Sequence, residues 1–152
     1  MVQRKKPAIR IDAFDLLPGR IIARKYEVIA KLGAGWEGEV YKIRERNTGI
    51  ARAAKLFFPH RNIRDRTSTF YARKLHTLRH CPIVIQYHTE EVIRVRSMPV
   101  TVLISEYVEG ELLKEFLEQQ PGKRLRPFQA LHLLYALSVG VECIHQHREY
   151  HG

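Results

Sequence analysis

Hydrophobic and polar positions alternate along the first part of the chain with a period of two, which is typical of β-strands. Tyr26 and Val28 are separated by a glutamate, and Tyr41 and Ile43 by a lysine. The pattern predicts three strands, over residues 20–32, 40–44 and 51–58. Residues 1–19 are polar and basic and contain two prolines, so they are expected to form a loosely packed arm.

The spacing of hydrophobic residues changes to threes and fours between residues 65 and 79, which predicts a helix that Asp65 or Thr67 could cap. Two more strands are predicted over residues 83–95 and 100–107. The second is almost continuously apolar, as a central strand would be. Helices are then predicted over residues 112–119 and 127–147. The last one is apolar on nearly all sides, so it is expected to belong in a large core.

Length and composition predict one globular domain, since the chain has 152 residues, of which 45% are hydrophobic and 28% charged. The N-terminus does not resemble a signal peptide, and no run of about eighteen apolar residues predicts a membrane helix. The two cysteines, Cys81 and Cys143, are far apart. They suit a reducing cytoplasm and predict neither a metal site nor a disulfide framework.

The net charge of +10 favours polyanionic partners. Basic residues are nevertheless scattered among acidic ones, so specific nucleic-acid binding is not expected. A cluster of His145, His147 and His151 could suggest zinc. No cysteine or acidic residue is expected to complete a tetrahedral set with these histidines, so no metal site is predicted.

The candidate chemistry lies in a glycine motif, Gly33, Gly35 and Gly38, followed by Lys55 on the third predicted strand. Glycines at this spacing let the backbone approach a phosphate closely. The motif alone is equally typical of a glycine-rich hairpin. A Walker A loop would need lysine and serine or threonine after Gly38, and a dinucleotide-binding fold would need a helix there. Neither is present.

Several motifs in order resemble the N-terminal part of a eukaryotic-type serine/threonine protein kinase domain, of the kind often found in bacteria. The resemblance runs from about Arg20 to the last residue. Its motifs are the glycine loop Gly33–Val40, Ala53-Ala54-Lys55, the turn His80-Cys81-Pro82-Ile83-Val84, the hinge-like Ser105-Glu106-Tyr107-Val108-Glu109-Gly110, and Tyr150-His151-Gly152 at the start of the catalytic loop.

The resemblance implies an α+β fold. A five-stranded antiparallel sheet with helix C would form the kinase N-lobe over residues 20–107, after the arm at residues 1–19. Residues 108–152 would form the hinge and the first helices of a partial C-lobe. A cytoplasmic, ATP-dependent enzyme family is implied, with Mg²⁺ as the metal of a full-length kinase.

The resemblance also implies the residues that contact ATP. Backbone amides of residues 34–38 would cover the phosphates, with Trp36 as a lid, and Lys55 would contact the α- and β-phosphates. Small Ser105 would leave the back of the pocket open. The full expected set is Leu32, Gly33, Ala34, Gly35, Trp36, Glu37, Gly38, Val40, Ala53, Lys55, Ser105, and the backbones of Glu106 and Val108.

Two departures from the kinase pattern affect the functional prediction. Tyr71 stands where helix C carries the glutamate that pairs with the lysine, and no acidic residue occurs between Arg66 and Thr89. The sequence also stops at Gly152, before the catalytic aspartate and the Mg²⁺ ligands. The prediction is therefore the nucleotide-binding half of a kinase, truncated at the catalytic loop and incompetent by itself. The alternative is a pseudokinase-like scaffold that binds a partner, or itself, through the exposed last helix.

Overall fold

The computed structural model describes residues 10–150, so the predictions for residues 1–9 and for His151 lie outside the described residues. Six strands and three α-helices follow one another along the chain. They are β1 (Ile21–Ile22), β2 (Tyr26–Ala34), β3 (Gly38–Glu45), β4 (Ala51–Phe57), α1 (Arg66–Thr77), β5 (Tyr87–Val95), β6 (Met98–Glu106), α2 (Leu113–Gln119) and α3 (Pro127–Gln146). Short 3-10 turns lie at Ile63–Asp65 and Pro121–Lys123.

The strands form one antiparallel sheet in the order β1-β2-β3-β4-β6-β5. The sheet has six strands where five were predicted, because Ala23 and Arg24 adopt positive φ angles of 46° and 59° and divide the first predicted strand. β6 is an interior strand, paired with β4 on one side and with the edge strand β5 on the other, which agrees with its apolar sequence. The prediction that a strand begins at residue 83 is wrong, since residues 82–84 form turns and β5 begins at Tyr87.

One face of the sheet forms the main hydrophobic core. Tyr41, Ala54, Leu56 and Ile104 are fully buried there. Ile11, Phe14 and Leu16 join the same core and are 1%, 4% and 4% exposed. Each such side chain stabilises the fold by about 1.5–3 kcal/mol. The prediction of a loosely packed arm is therefore wrong for residues 10–19, because this stretch covers the sheet.

A second, smaller cluster joins the end of α1 to α3 through Leu78, Cys81 and Ile144. Cys81 and Cys143 form a disulfide across it, with Cα atoms 5.7 Å apart and 62 positions of sequence between them. The prediction that these distant cysteines form no disulfide is contradicted here. Spacing along the chain did not reveal the pair, because the packing of two separate elements brings the cysteines together.

Helix α3 is the most apolar element of the chain, and much of its surface is exposed. Phe128 and Tyr135 are 79% and 70% exposed. By length and composition α3 could cross a membrane, with a mean hydropathy of 1.3 over its most apolar window. The sequence prediction used a different test, an unbroken run of about eighteen apolar residues, and α3 does not contain one because Gln129, His132, Ser138 and Glu142 interrupt it. An internal helix of a globular protein meets the same criterion, so the observation does not by itself place α3 in a membrane.

Candidate functional site

The glycine motif forms the turn between β2 and β3. Gly33 pairs with Val40 across the hairpin, and the Gly35 amide donates to the Gly38 carbonyl at 2.9 Å. A Cβ at Gly38 would overlap the Leu56 carbonyl of β4, whereas a Cβ at Gly33 or Gly35 would meet open space. The third glycine is therefore required for packing, and the first two leave the backbone accessible.

Strand register brings the predicted pocket residues onto one face of the sheet, opposite the main core. Val40 pairs with Lys55, and Ala53 pairs with Ser105. Leu103 pairs with Lys55 on its other side and is 3% exposed. Leu103 belongs to this face although sequence reasoning did not select it; its position two residues before Ser105 on β6 was the available signal.

Lys55 has both an acidic and an aromatic partner. Its ammonium nitrogen donates to the Glu37 carboxylate at 2.6 Å. The same nitrogen lies 3.9 Å from the centroid of the Tyr71 ring and 4.9 Å from that of Phe57, within cation–π range. Burial raises the pKa of the Tyr71 hydroxyl, and the Glu37 carboxylate raises it further.

The tip of the glycine loop is folded onto the end of β4. The Phe58 amide donates to the Glu37 carbonyl at 2.8 Å. The Trp36 ring packs against the Arg61 guanidinium, whose carbon lies 3.3 Å from the ring centroid. The loop and Lys55 enclose an open cleft of about 470 Å³, which is lined by Gly33, Ala34, Gly35, Trp36, Glu37, Gly38, Val40 and Lys55.

The predicted hinge follows β6 directly. Ser105 is 4% exposed, and the Glu106 amide donates to the Gln86 carbonyl at 2.8 Å. Val108 is 62% exposed. Within residues 10–150, no side chain or backbone group forms a hydrogen bond with the Val108 amide or carbonyl, so both are available to a ligand. Leu32, also expected at the site, is 48% exposed on β2 beside the glycine loop.

The base of the glycine loop contains a buried acid, Glu39, that is 2% exposed. Its carboxylate accepts hydrogen bonds from the Phe14 amide at 3.3 Å, from the Lys31 ammonium at 2.6 Å and from the Tyr41 hydroxyl. Burial raises the pKa of Glu39, but the bonds from Lys31 and Tyr41 outweigh it and hold that pKa below its usual value. Burial and Glu39 together raise the pKa of Tyr41 to about 12.

The sequence offered no acidic residue on helix C as a partner for Lys55. The structure supplies Glu37, which the motif had placed at the loop tip as a phosphate-covering residue. The sequence signal for this contact was an acidic residue between the second and third glycines. The loop bends toward the end of β4 and so brings the Glu37 carboxylate to Lys55. Tyr71 had been identified only as a departure from a pattern, and the structure shows that its ring contacts the lysine.

Comparison of the sequence with known protein families identifies the family to which this fold belongs. The model of the protein kinase domain matches residues 26–152, which is most of the chain. The chain belongs to the protein kinase family. The sheet and α1 thus form the N-lobe of a kinase fold, and the helices that follow β6 begin the C-lobe. A comparison with curated protein sequences gave no match.

Solved kinase domains share this fold. A single-site mutant of the Mycobacterium tuberculosis PknI kinase domain matches with a TM-score of 0.62 and 20% identity, covering 90% of this chain and 54% of that one. A Plasmodium kinase domain matches with a TM-score of 0.72 and 18% identity, covering 88% and 39%. The chain therefore spans about half the length of PknI's kinase domain, and less of the second.

Proposed function

We propose that this chain forms the ATP-binding half of a cytoplasmic serine/threonine protein kinase. The observation that supports the proposal best is the position of Lys55. It lies beneath the glycine loop and on the same sheet face as Val40, Ala53 and Ser105. This arrangement combines a cationic group, an accessible loop backbone and a small-residue wall, which are the features that a nucleoside triphosphate needs.

Each part of ATP has a group of this chain to contact. The open backbone at Gly33 and Gly35 would approach the phosphates, and Lys55 would donate to the α- and β-phosphate oxygens. Ala53 and Val40 would contact the adenine faces. The Glu106 carbonyl and the unpartnered Val108 backbone groups would hydrogen-bond with its edge. Mg²⁺ would enter bound to the ATP phosphates.

The kinase lysine is ordinarily held by a helix-C glutamate, and Tyr71 occupies that position here. This substitution supports a second candidate function, a pseudokinase-like module that binds a protein partner without phosphoryl transfer. The exposed apolar surface of α3 would then contact that partner or a second copy of the chain. Nucleic acid is not proposed as a partner, because the basic residues are dispersed among acids.

Nucleotide affinity of the 152-residue chain tests the ATP site directly. Titration with ATP and Mg²⁺, followed by calorimetry and by thermal shift, should show saturable binding. Lys55→Ala should weaken that binding by about ten-fold or more, because a charge-assisted contact to phosphate is lost. Lys25→Ala is the matched control, since Lys25 is an exposed lysine paired with Glu91. Absence of binding to the unsubstituted chain would refute the site and favour the partner-binding candidate.

A further inference from the structure

The Cys81–Cys143 pair lies outside the set of residues that face the glycine loop. Cys81 belongs to the connection between α1 and β5, and Cys143 belongs to the last turns of α3. The bond therefore joins the segment that follows α1, the helix whose Tyr71 contacts Lys55, to the longest helix of the C-terminal part. Leu78 and Ile144, each 2% exposed, pack around it.

The two cysteine residues differ in exposure. Cys81 is fully buried, whereas Cys143 is partly exposed on α3. An external thiol or disulfide can therefore reach Cys143 first. In thiol–disulfide exchange, the more exposed cysteine forms the mixed disulfide with the external molecule, and the buried cysteine resolves it.

His147 stands beside the pair, one helical turn after Cys143. Its Nδ1 lies 2.8 Å from the Cys143 carbonyl oxygen and 3.7 Å from the Cys81 sulfur. Because a carbonyl oxygen only accepts hydrogen bonds, Nδ1 carries the proton. This N–H also lies within hydrogen-bond range of the Cys81 sulfur, where it would stabilise a thiolate.

We propose that Cys81 and Cys143 form a reversible redox site that exchanges with low-molecular-weight disulfides such as oxidised glutathione. Cys143 is the cysteine that exchanges with the external disulfide or thiol and Cys81 is the resolving one, with His147 stabilising the Cys81 thiolate. The proposal does not depend on ATP binding, so the two can fail separately.

Oxidation proceeds by two exchange steps. The Cys143 thiolate attacks one sulfur of oxidised glutathione, which forms a mixed disulfide and releases one glutathione thiolate. The Cys81 thiolate, its proton lost to solvent, then attacks the Cys143 sulfur and expels the second glutathione thiolate. Two electrons pass from the two protein thiols to glutathione, and both released thiolates take protons from water. Reduction by two glutathione molecules is the reverse.

The same three residues also form a candidate metal-ligand group, with their donor atoms within 4.8 Å of one another. Zinc in a structural site takes four ligands and needs both cysteines as thiolates. In this structure the sulfurs are bonded to each other. The described residues bring no fourth histidine, cysteine or carboxylate into the group, so the arrangement favours redox exchange over metal binding.

The disulfide would hold α3 against the end of α1. Besides the disulfide, the Lys74 ammonium donates to the Tyr150 carbonyl and lies 3.9 Å from the Glu149 carboxylate. These contacts are polar and partly exposed, so they are individually weak. Opening the disulfide would leave α3 held to α1 chiefly by the small cluster around Ile144.

A glutathione redox titration tests the proposal. The chain is equilibrated in buffers of varied reduced-to-oxidised glutathione ratio, quenched with acid, alkylated with N-ethylmaleimide in denaturant so that the buried Cys81 thiol is also labelled, and weighed as the intact protein. We expect a transition from two adducts to none, with the same midpoint from either direction. The reduced chain should melt about 10 °C lower than the oxidised chain. A chain that keeps two reactive thiols in every buffer, or one that holds zinc when purified, would overturn the proposal.

Single cysteine variants test the order of attack. Cys81→Ser should accumulate the mixed disulfide of Cys143 with glutathione, because the resolving thiol is missing. Cys143→Ser should accumulate far less, since Cys81 is buried. Equal trapping in the two variants would contradict the assignment. Circular dichroism spectra of both variants in reducing buffer check that each variant is folded before the trapping is compared.

Histidine variants test the role of His147 independently of folding stability. His147→Ala should slow closure of the disulfide by about three- to ten-fold, because the thiolate loses its hydrogen-bond donor. His147→Asn places an amide N–H near the Nδ1 position and should restore much of the rate. Equal closure rates in the alanine, asparagine and unsubstituted chains would show that His147 has no part in the exchange.

Discussion

The carboxylate of Glu37, at the tip of the glycine loop, lies 2.6 Å from the ammonium group of Lys55 on β4. The kinase family ordinarily supplies that acid from helix C, where this chain has Tyr71. In this structure the acid that pairs with Lys55 therefore comes from the glycine loop, which is the element proposed to cover the ATP phosphates. Both side chains are partly accessible, at 27% for Lys55 and 29% for Glu37, so a ligand can displace the contact.

Replacing Glu37 should strengthen nucleotide binding. The Glu37 carboxylate competes with ATP for Lys55 and repels the triphosphate, and Glu37→Gln removes that charge while keeping the shape of the side chain. We expect the dissociation constant for ATP to fall by about three- to ten-fold. Calorimetric titration with ATP and Mg²⁺ measures the change.

Glu27→Gln provides the control for this charge, because Glu27 pairs with Arg44 on the sheet and is not part of the cleft. It changes the net charge equally and should leave ATP affinity nearly unaltered. If the two variants bind ATP equally tightly, general charge rather than the Glu37–Lys55 contact sets the affinity.

The Tyr71 ring should contribute to the stability of the N-lobe through its contact with Lys55. Tyr71→Leu removes the cation–π interaction at 3.9 Å and should cost about 1–2 kcal/mol of unfolding free energy. Tyr71→Phe keeps the ring and should cost less than half as much. Urea unfolding distinguishes them. If both variants lose the same unfolding free energy, the stabilisation comes from the Tyr71 hydroxyl and not from the ring.

Gly38 and Gly35 should respond differently to alanine. A Cβ at Gly38 would overlap the Leu56 carbonyl, and backbone cannot yield as a flexible side chain does. Gly38→Ala should therefore destabilise the fold by about 2 kcal/mol or more. Gly35→Ala meets open space and should leave thermal stability within about 1 kcal/mol. Similar melting temperatures for the two variants would contradict this account of the loop.

Glu39 should make the stability of the chain depend on acid pH. Its pKa is held below the usual carboxyl value by Lys31 and Tyr41 despite burial. The stabilisation is therefore complete above the ordinary carboxyl pKa and is lost as pH falls through the lower folded value. Glu39→Gln should cost about 1–3 kcal/mol at neutral pH and should flatten the acid side of the stability profile. Urea unfolding between neutral and acid pH measures both effects.

Local pattern was sufficient for most of the elements. Alternation around Tyr41 and Ile43 predicted a strand, and the apolar run from Val100 to Ile104 predicted a central one, because strand side chains alternate regardless of distant contacts. The boundary at Tyr87 was missed. Residues 83–85 are apolar, but they follow Pro82 in a turn whose hydrogen bond, from the Val84 amide to the Cys81 carbonyl, leaves no sign in the hydrophobic pattern.

Tertiary structure decided which side chains meet. The sequence by itself determined the glycine loop, Lys55 on the third main strand and the family resemblance, since these depend on short spacings. It could not determine that Glu37 bends to Lys55, that Ile11 and Phe14 cover the sheet, or that Cys81 bonds to Cys143. Each of these contacts joins separate elements, and its existence depends on how the sheet and helices pack rather than on local backbone preference.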